Sequence, residues 1–362
     1  MKETQSYLSI LTRDDFSGSQ LWRPVLAALL GLLLGGLFVL FSGETPLRAY
    51  HLLLTAGFGC QQLDNCSFWT TLQFATPLIL AGLSAAVAFR AGVFSVGQAG
   101  QMVLGAGLAA WVAYQTLPMG WHPVLALITA ALAGALWGVL PGLLKLLIGV
   151  HEIISSIVLN AIAGFLVRFI PLRFGPINAS AQLPTLAPAT KLNQGFFIAL
   201  IAVLAVYLFL WVSASGYQQR MVGQAPQFAK YGGLKPLRTV VVALLISGAL
   251  AGLAGAIEVL GVHYRFIVGF SADENFDGIL VALLGQSHPV GILLAAIFVG
   301  GVRLGSLNGL QIQAGIPREL GNAMLAVMAL LMAAEHLLGS RSVALRGRIA
   351  ALRKSRNKGS SR

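Results

Sequence analysis

Long apolar runs alternate with short polar interruptions along almost the whole chain. The runs lie near 25–42, 69–89, 98–117, 121–143, 153–170, 195–213, 238–260, 276–286, 289–308 and 318–339. A helix needs roughly 20 apolar residues to cross a bilayer core, so the pattern predicts an all-α polytopic membrane protein of about ten segments. The eighth run is too short to cross alone and reads as a half-helix, a re-entrant segment or part of a bent element. Three regions follow: a polar leader (1–24), a transmembrane domain (25–339) and a tail (340–362).

Composition supports this reading. Of 362 residues, 57% are apolar and 10% charged, with a mean hydropathy of +0.80. These values exclude both a water-soluble globule and a disordered chain. The net charge of +12 is concentrated in the tail, which holds eight basic residues and no acidic one. It has no aromatic residue to stack on bases, which argues against nucleic acid and for an anchor on anionic headgroups. Ten crossings with both termini inside place 17 of the 24 basic residues in cytoplasmic segments and 6 outside, with Arg303 inside an apolar run. The positive-inside bias favours that orientation. No cleaved signal is expected, because the first apolar run follows a polar leader and is long enough to remain as a span. Cys60 and Cys66 both fall in the first external segment, 43–68. They form either a disulfide closing a small loop or two free thiols in an amphipathic helix.

Catalytic signatures are missing. No phosphate-binding loop of the form G-x-x-x-x-G-K-[ST] occurs, and His151-Glu152 opens a zinc-helix pattern that Ser155 fails to complete. The carboxylates nearest to membrane depth are Glu258, Asp277 and Glu335, read here as solvated helix-end positions. A self-contained secondary transporter would need one of them as a functional intramembrane group.

Four segments carry a message. In 89–102, three glycines and two glutamines (Gln98, Gln101), with Ser95, interrupt an otherwise apolar stretch. The segment reads either as a broken helix lining a path or as a plain hairpin. In 151–160, Glu152, Ser155, Ser156 and Asn160 form one polar stripe on a helix, suited to binding helices together or to lining a cavity. In 216–236, Pro226 suits a first helical turn and Gly232-Gly233 its end, which predicts a helix of about six residues. So short a helix needs a partner surface. In 275–289, a short apolar half-helix containing Asp277 stops at Gly285 and Pro289.

Taken in order, these segments resemble the permease subunits of bacterial binding-protein-dependent ABC importers, nucleoside and simple-sugar branch, over roughly 70–338. Phe89, Arg90, Gly92, Phe94, Gly97, Gly100, Gln101 and Met102 match the first family pattern, with Ser95 and Ala99 as departures. Segment 151–160 is similar to the family's second pattern, and Phe276 to Ile279 with Val281 to Gly285 to its fourth. The third segment resembles the family's cytoplasmic coupling loop (214–237): Arg220, Gly223, Pro226, Ala229, Tyr231 and Gly233 fit, Lys230 is conservative, and Phe228 departs. The resemblance implies a non-catalytic permease working by alternating access in the bacterial inner membrane. It implies an ATP-binding cassette subunit that holds ATP and Mg and receives the coupling helix in a groove. It also implies a second permease subunit, making a heterodimer, and an extracytoplasmic solute-binding protein. The implied solute is a nucleoside first and a monosaccharide second. Ser95, Gln98, Gln101, Ser155, Ser156, Asn160 and Asp277 are the expected pathway residues.

Overall fold

A computed structural model of the chain describes residues 45–62, 65–116, 121–170, 175–186, 190–267, 272–317, 319–323 and 325–327, with helical positions between 29 and 40. The leader, the basic tail and Glu335 lie outside the described residues, as does most of the run at 318–339. The helices are α1 (Pro46–Phe58), α2 (Ser67–Arg90), α3 (Gln98–Ala113), α4 (His122–Ile148), α5 (Glu152–Leu166) and α6 (Gly195–Tyr207). They continue with α7 (Ala214–Gln224), α8 (Pro226–Tyr231), α9 (Pro236–Ile257), α10 (Ala272–Leu284) and α11 (Pro289–Gly305). Three of these helices widen into π-helical turns at their ends: α6 at Leu208–Val212, α9 at Glu258–His263 and α11 at Ser306–Gln313. Helices α1, α4, α8, α9 and α11 open with proline in the first turn, where its fixed φ suits the helix and its missing N–H costs nothing.

Among the described residues, six stretches are long and apolar enough to cross a membrane: Ser67–Arg90, His122–Lys145, Glu152–Phe169, Gly195–Val212, Pro236–His263 and Pro289–Gln313. The eighth apolar run forms the 13-residue α10, stopped by the Gln286–His288 turn before α11 starts.

Helices α2 and α9 make the centre. α2 packs against α9, α10 and α11, and α9 also lies along α3 and α4. Small residues make this closeness possible: a Cβ on Gly105 of α3 would sit 2.6 Å from the Gly252 Cα of α9. Outside that core, Leu132, Leu136, Ile154, Ile201 and Leu204 are exposed on α4, α5 and α6, an apolar surface suited to lipid.

Segment 43–68 departs from a plain external connection. It folds into α1, which turns Ala49, Leu53 and Ala56 inward and packs on α11. At 13 residues, with Arg48, His51 and Thr55 interspersed, this helix leaves no membrane-length signal in the sequence. A two-stranded hairpin follows, β1 (Cys60–Gln62) paired antiparallel with β2 (Asn65–Cys66). Cys60 stands opposite Cys66 and the two form a disulfide.

Candidate coupling and translocation site

All four sequence segments meet at one end of the bundle, the fourth through its Gln286–His288 turn. α2 ends at Arg90, the chain turns through Gly92 (φ 77°), and α3 begins at Gln98. Gly97, at the N-cap of α3, has no side chain to bond the exposed N–H groups of the first turn. Asn160 of α5 performs that task from across the interface. Its Oδ1 accepts from Gly100 N at 2.9 Å, and its Nδ2 donates to the Val96 carbonyl at 2.8 Å. Ser155 and Ser156 are buried and donate to the Glu152 carbonyl at 3.1 and 2.6 Å, while the Glu152 carboxylate pairs with Lys145 Nζ at 2.8 Å. The α5 stripe thus joins helices. His151 is the N-cap of α5, accepting from Ile153 N.

Ser95, Gln98 and Gln101 are fully enclosed. Gln98 Nε2 donates to the Ser95 carbonyl at 3.1 Å. The Gln101 amide abuts Gly97 and Gly138, and Trp137 Nε1 abuts Gly100. Gln98 Oε1, both Gln101 amide atoms and Trp137 Nε1 have no hydrogen-bond partner among the described residues.

α7 and α8 form a bracket against the end of α2. Gln219 Nε2 donates to the Val87 carbonyl at 2.6 Å, and a Cβ on Gly223 would collide with the Arg90 carbonyl. α8 starts at Pro226 and ends through Gly232 and Gly233 (φ 81°), which only glycine adopts without strain. Its faces are sharply different: Ala229 is 1% exposed, whereas Phe228 is 61% and Tyr231 90% exposed, with Lys230 also exposed. Ala229 therefore packs inward on its own chain, and the aromatic pair is what α8 presents outward.

Behind the bracket sits Trp211, in the π-turn after α6. The guanidinium groups of Arg90 and Arg220 lie 5.1 and 5.7 Å from its ring centroid. The His288 ring meets it edge-on at 4.7 Å, and Tyr207 stacks at 5.9 Å. Arg90 also donates to the Ser287 and Gln286 carbonyls, at 3.4 and 3.3 Å; both residues hold positive φ. Burial, then the Arg90 charge, hold the His288 imidazole below its usual pKa. One tryptophan thus links the end of α2, the base of α7 and the turn between α10 and α11. Nothing in the apolar run around Trp211 distinguishes it in sequence; its partners come from three distant segments.

Of the three carboxylates read as solvated helix ends, Glu258 and Asp277 are instead paired and largely buried. Glu258 Oε2 lies 3.2 Å from His263 Nε2, and Asp277 Oδ2 lies 2.7 Å from Arg303 Nη2. The π-turn explains the first pair, because i and i+5 positions stack where the helix widens. Arg303, an unexplained charge within an apolar run, is accounted for by Asp277. Two cavities among the described residues bear on these groups. One of about 380 Å³ lies beside α7, lined by Gln218, Gln219, Lys235 and Arg238 among others. One of about 150 Å³ lies between α2, the π-turn of α9 and α11, with Glu258, His263 and Arg303 on its wall. Of the expected pathway residues, neither cavity takes Ser95, Gln98, Gln101, Ser155, Ser156, Asn160 or Asp277 into its wall.

The fold and this end-on bracket define a helical multi-pass membrane protein that carries a short helix with two exposed aromatic side chains. Residues 67–333 match the family model described as the permease component of the branched-chain amino acid transport system, and the chain belongs to that family. It is 38% identical over 336 residues to a guanosine ABC transporter permease of Bacillus subtilis, covering 88% of this chain and 95% of that one. It is 30% identical to a nucleoside ABC transporter permease of Lactococcus lactis subsp. cremoris (87% and 91% covered). A glucose ABC transporter permease of Haloferax volcanii is also 30% identical (85% and 86% covered). The chain is thus a non-catalytic permease subunit.

Proposed function

We propose that this chain is one membrane-spanning half of an ATP-driven nucleoside importer. The observation that carries the coupling part is α8, a six-residue helix braced on α7 and α9 with Phe228 and Tyr231 turned outward. In this reading those side chains, with Lys230, enter a groove of an ATP-binding cassette subunit, which holds ATP and Mg. Arg220, Gly223, Pro226, Ala229 and Gly233 shape the bracket (loop 214–237). Nucleotide binding in the partner favours one arrangement of the paired permeases, and α8 transmits that preference through Trp211 to the α10–α11 turn. The full-length similarity to guanosine and nucleoside permeases supports a nucleoside as solute.

The finer architecture is proposed on the same grounds. Ten segments run in the bacterial inner membrane, with the leader (1–24) and the basic tail (340–362) both cytoplasmic. A second permease completes a heterodimer, and a solute-binding protein delivers from the side carrying the Cys60–Cys66 hairpin. The enclosed amides of Gln98 and Gln101, with Ser95, and the α5 residues Ser155, Ser156 and Asn160 hold the start of α3, which moves as the path opens past Asp277.

Uptake of labelled guanosine by cells lacking the gene, against complemented cells, tests the reading. Restoration that ATP depletion blocks, and that collapse of the proton gradient leaves intact, is the expected result. Loss of glucose uptake with nucleoside uptake unchanged would replace the nucleoside with a sugar.

A further inference from the structure

The cavity of about 150 Å³ is walled by three helices, each of which departs from regular α-helix beside it. Pro77, inside α2, lacks the N–H that would bond the Gln73 carbonyl one turn earlier. α9 gives way to its π-turn at Glu258, and α11 gives way to its own three residues after Arg303. Backbone released from helical bonding is tolerated at membrane depth where it is buried in protein or lines a cavity, and transporters place solute sites at such breaks.

The side chains on the wall suit a neutral solute rich in hydrogen-bonding groups. Glu258 faces His263 and Arg303 faces Asp277, so each charged side chain on the wall already has a polar partner within the protein. His263 engages Glu258 Oε2, and the Glu258 side chain stands on the cavity wall. Gln73 is held in place by Lys191, whose backbone N–H donates to Oε1 at 3.2 Å. Phe74 adds an aromatic ring and Pro77 an apolar face. An aromatic surface beside a carboxylate acceptor fits a planar heterocycle bearing N–H donors. The volume is below the roughly 300–1,000 Å³ of whole-ligand pockets, so it fits a ring rather than an entire nucleoside.

We propose that this cavity is the base-recognition subsite of the transport path, in which Glu258 accepts an N–H of a purine and Phe74 lies against its ring. The proposal rests on the nucleoside reading above and assigns the base edge: a carboxylate takes the N1–H and 2-amino donors of guanine and disfavours the N1 acceptor of adenine.

The experiment is competitive uptake of guanosine and adenosine by the complete transporter in cells, wild type against Glu258→Gln. The carboxamide keeps the shape and replaces one acceptor oxygen by a donor, so the guanosine-to-adenosine ratio is expected to fall roughly tenfold or more. The ratio is insensitive to how much transporter assembles. As a second measurement, photolabelling of the wild-type complex with 8-azidoguanosine is expected to mark peptides containing 73–78 or 258–263, competed by guanosine. An unchanged ratio, or labelling confined to other peptides, overturns the subsite while leaving nucleoside import intact. A wild type that imports glucose and no nucleoside overturns both.

Discussion

Asn160 is the residue whose removal has the most calculable effect. Its two hydrogen bonds go to backbone groups that are themselves buried, the Gly100 N–H and the Val96 carbonyl. Each bond contributes about 0.5–1.5 kcal/mol while made, but an orphaned buried partner costs about 1–3 kcal/mol. Asn160→Leu, which removes both bonds and leaves little room for water, should destabilise the α3–α5 contact by about 3–5 kcal/mol. Asn160→Ala should cost about 2–3 kcal/mol, because a water can enter the vacated space and bridge the two groups. Asn160→Asp keeps an acceptor for the first turn of α3, where negative charge is favoured, but sets a carboxylate against the Val96 carbonyl. The ordering expected is wild type, then Asp, then Ala, then Leu. Hydrogen exchange of the first-turn amides of α3 in the purified transporter reads it directly: about 3 kcal/mol is on the order of a hundredfold loss of protection. Wild-type protection at Gly100 in the Leu variant would refute the idea that α5 caps α3.

Three further outcomes are expected. Joint truncation of Phe228 and Tyr231 to alanine should lower uptake at least tenfold while basal ATP hydrolysis continues, since two aromatic anchors worth about 2 kcal/mol each leave the docking surface; unchanged uptake would remove α8 from the coupling role. Trp211→Ala should lower thermal stability by about 3–5 kcal/mol, the usual range for truncating a packed tryptophan, whereas Trp211→Phe should recover part of the loss by restoring a ring beneath Arg90 and Arg220. Reduction of the Cys60–Cys66 bridge should destabilise the hairpin by about 2 kcal/mol for so short a loop, and thiol labelling of untreated protein in an oxidising medium should find neither cysteine free; ready labelling would overturn it.

Much of this protein is legible along the chain because its determinants are local. Apolar run lengths mark the membrane helices, Gly285 and Pro289 frame the stop after α10, and Pro226 with Gly233 bounds α8 almost to the residue. These are properties of neighbouring residues, so one dimension suffices. What only the tertiary structure decided involves partners far apart in sequence. Ala229 turns inward because α8 packs on α7 and α9, leaving Phe228 and Tyr231 to face out. Gly97 cannot cap α3, and Asn160, 63 residues later, does so. Glu258 and Asp277 look like helix-end charges until the π-turn stacks one on His263 and α11 brings Arg303 to the other. In an apolar sequence nearly every helix face is hydrophobic, so periodicity cannot say which face meets which. Buried polar groups such as Asn160, Glu258 and Asp277 settle it by finding partners, since leaving them unpaired would cost more than most single packing contacts return.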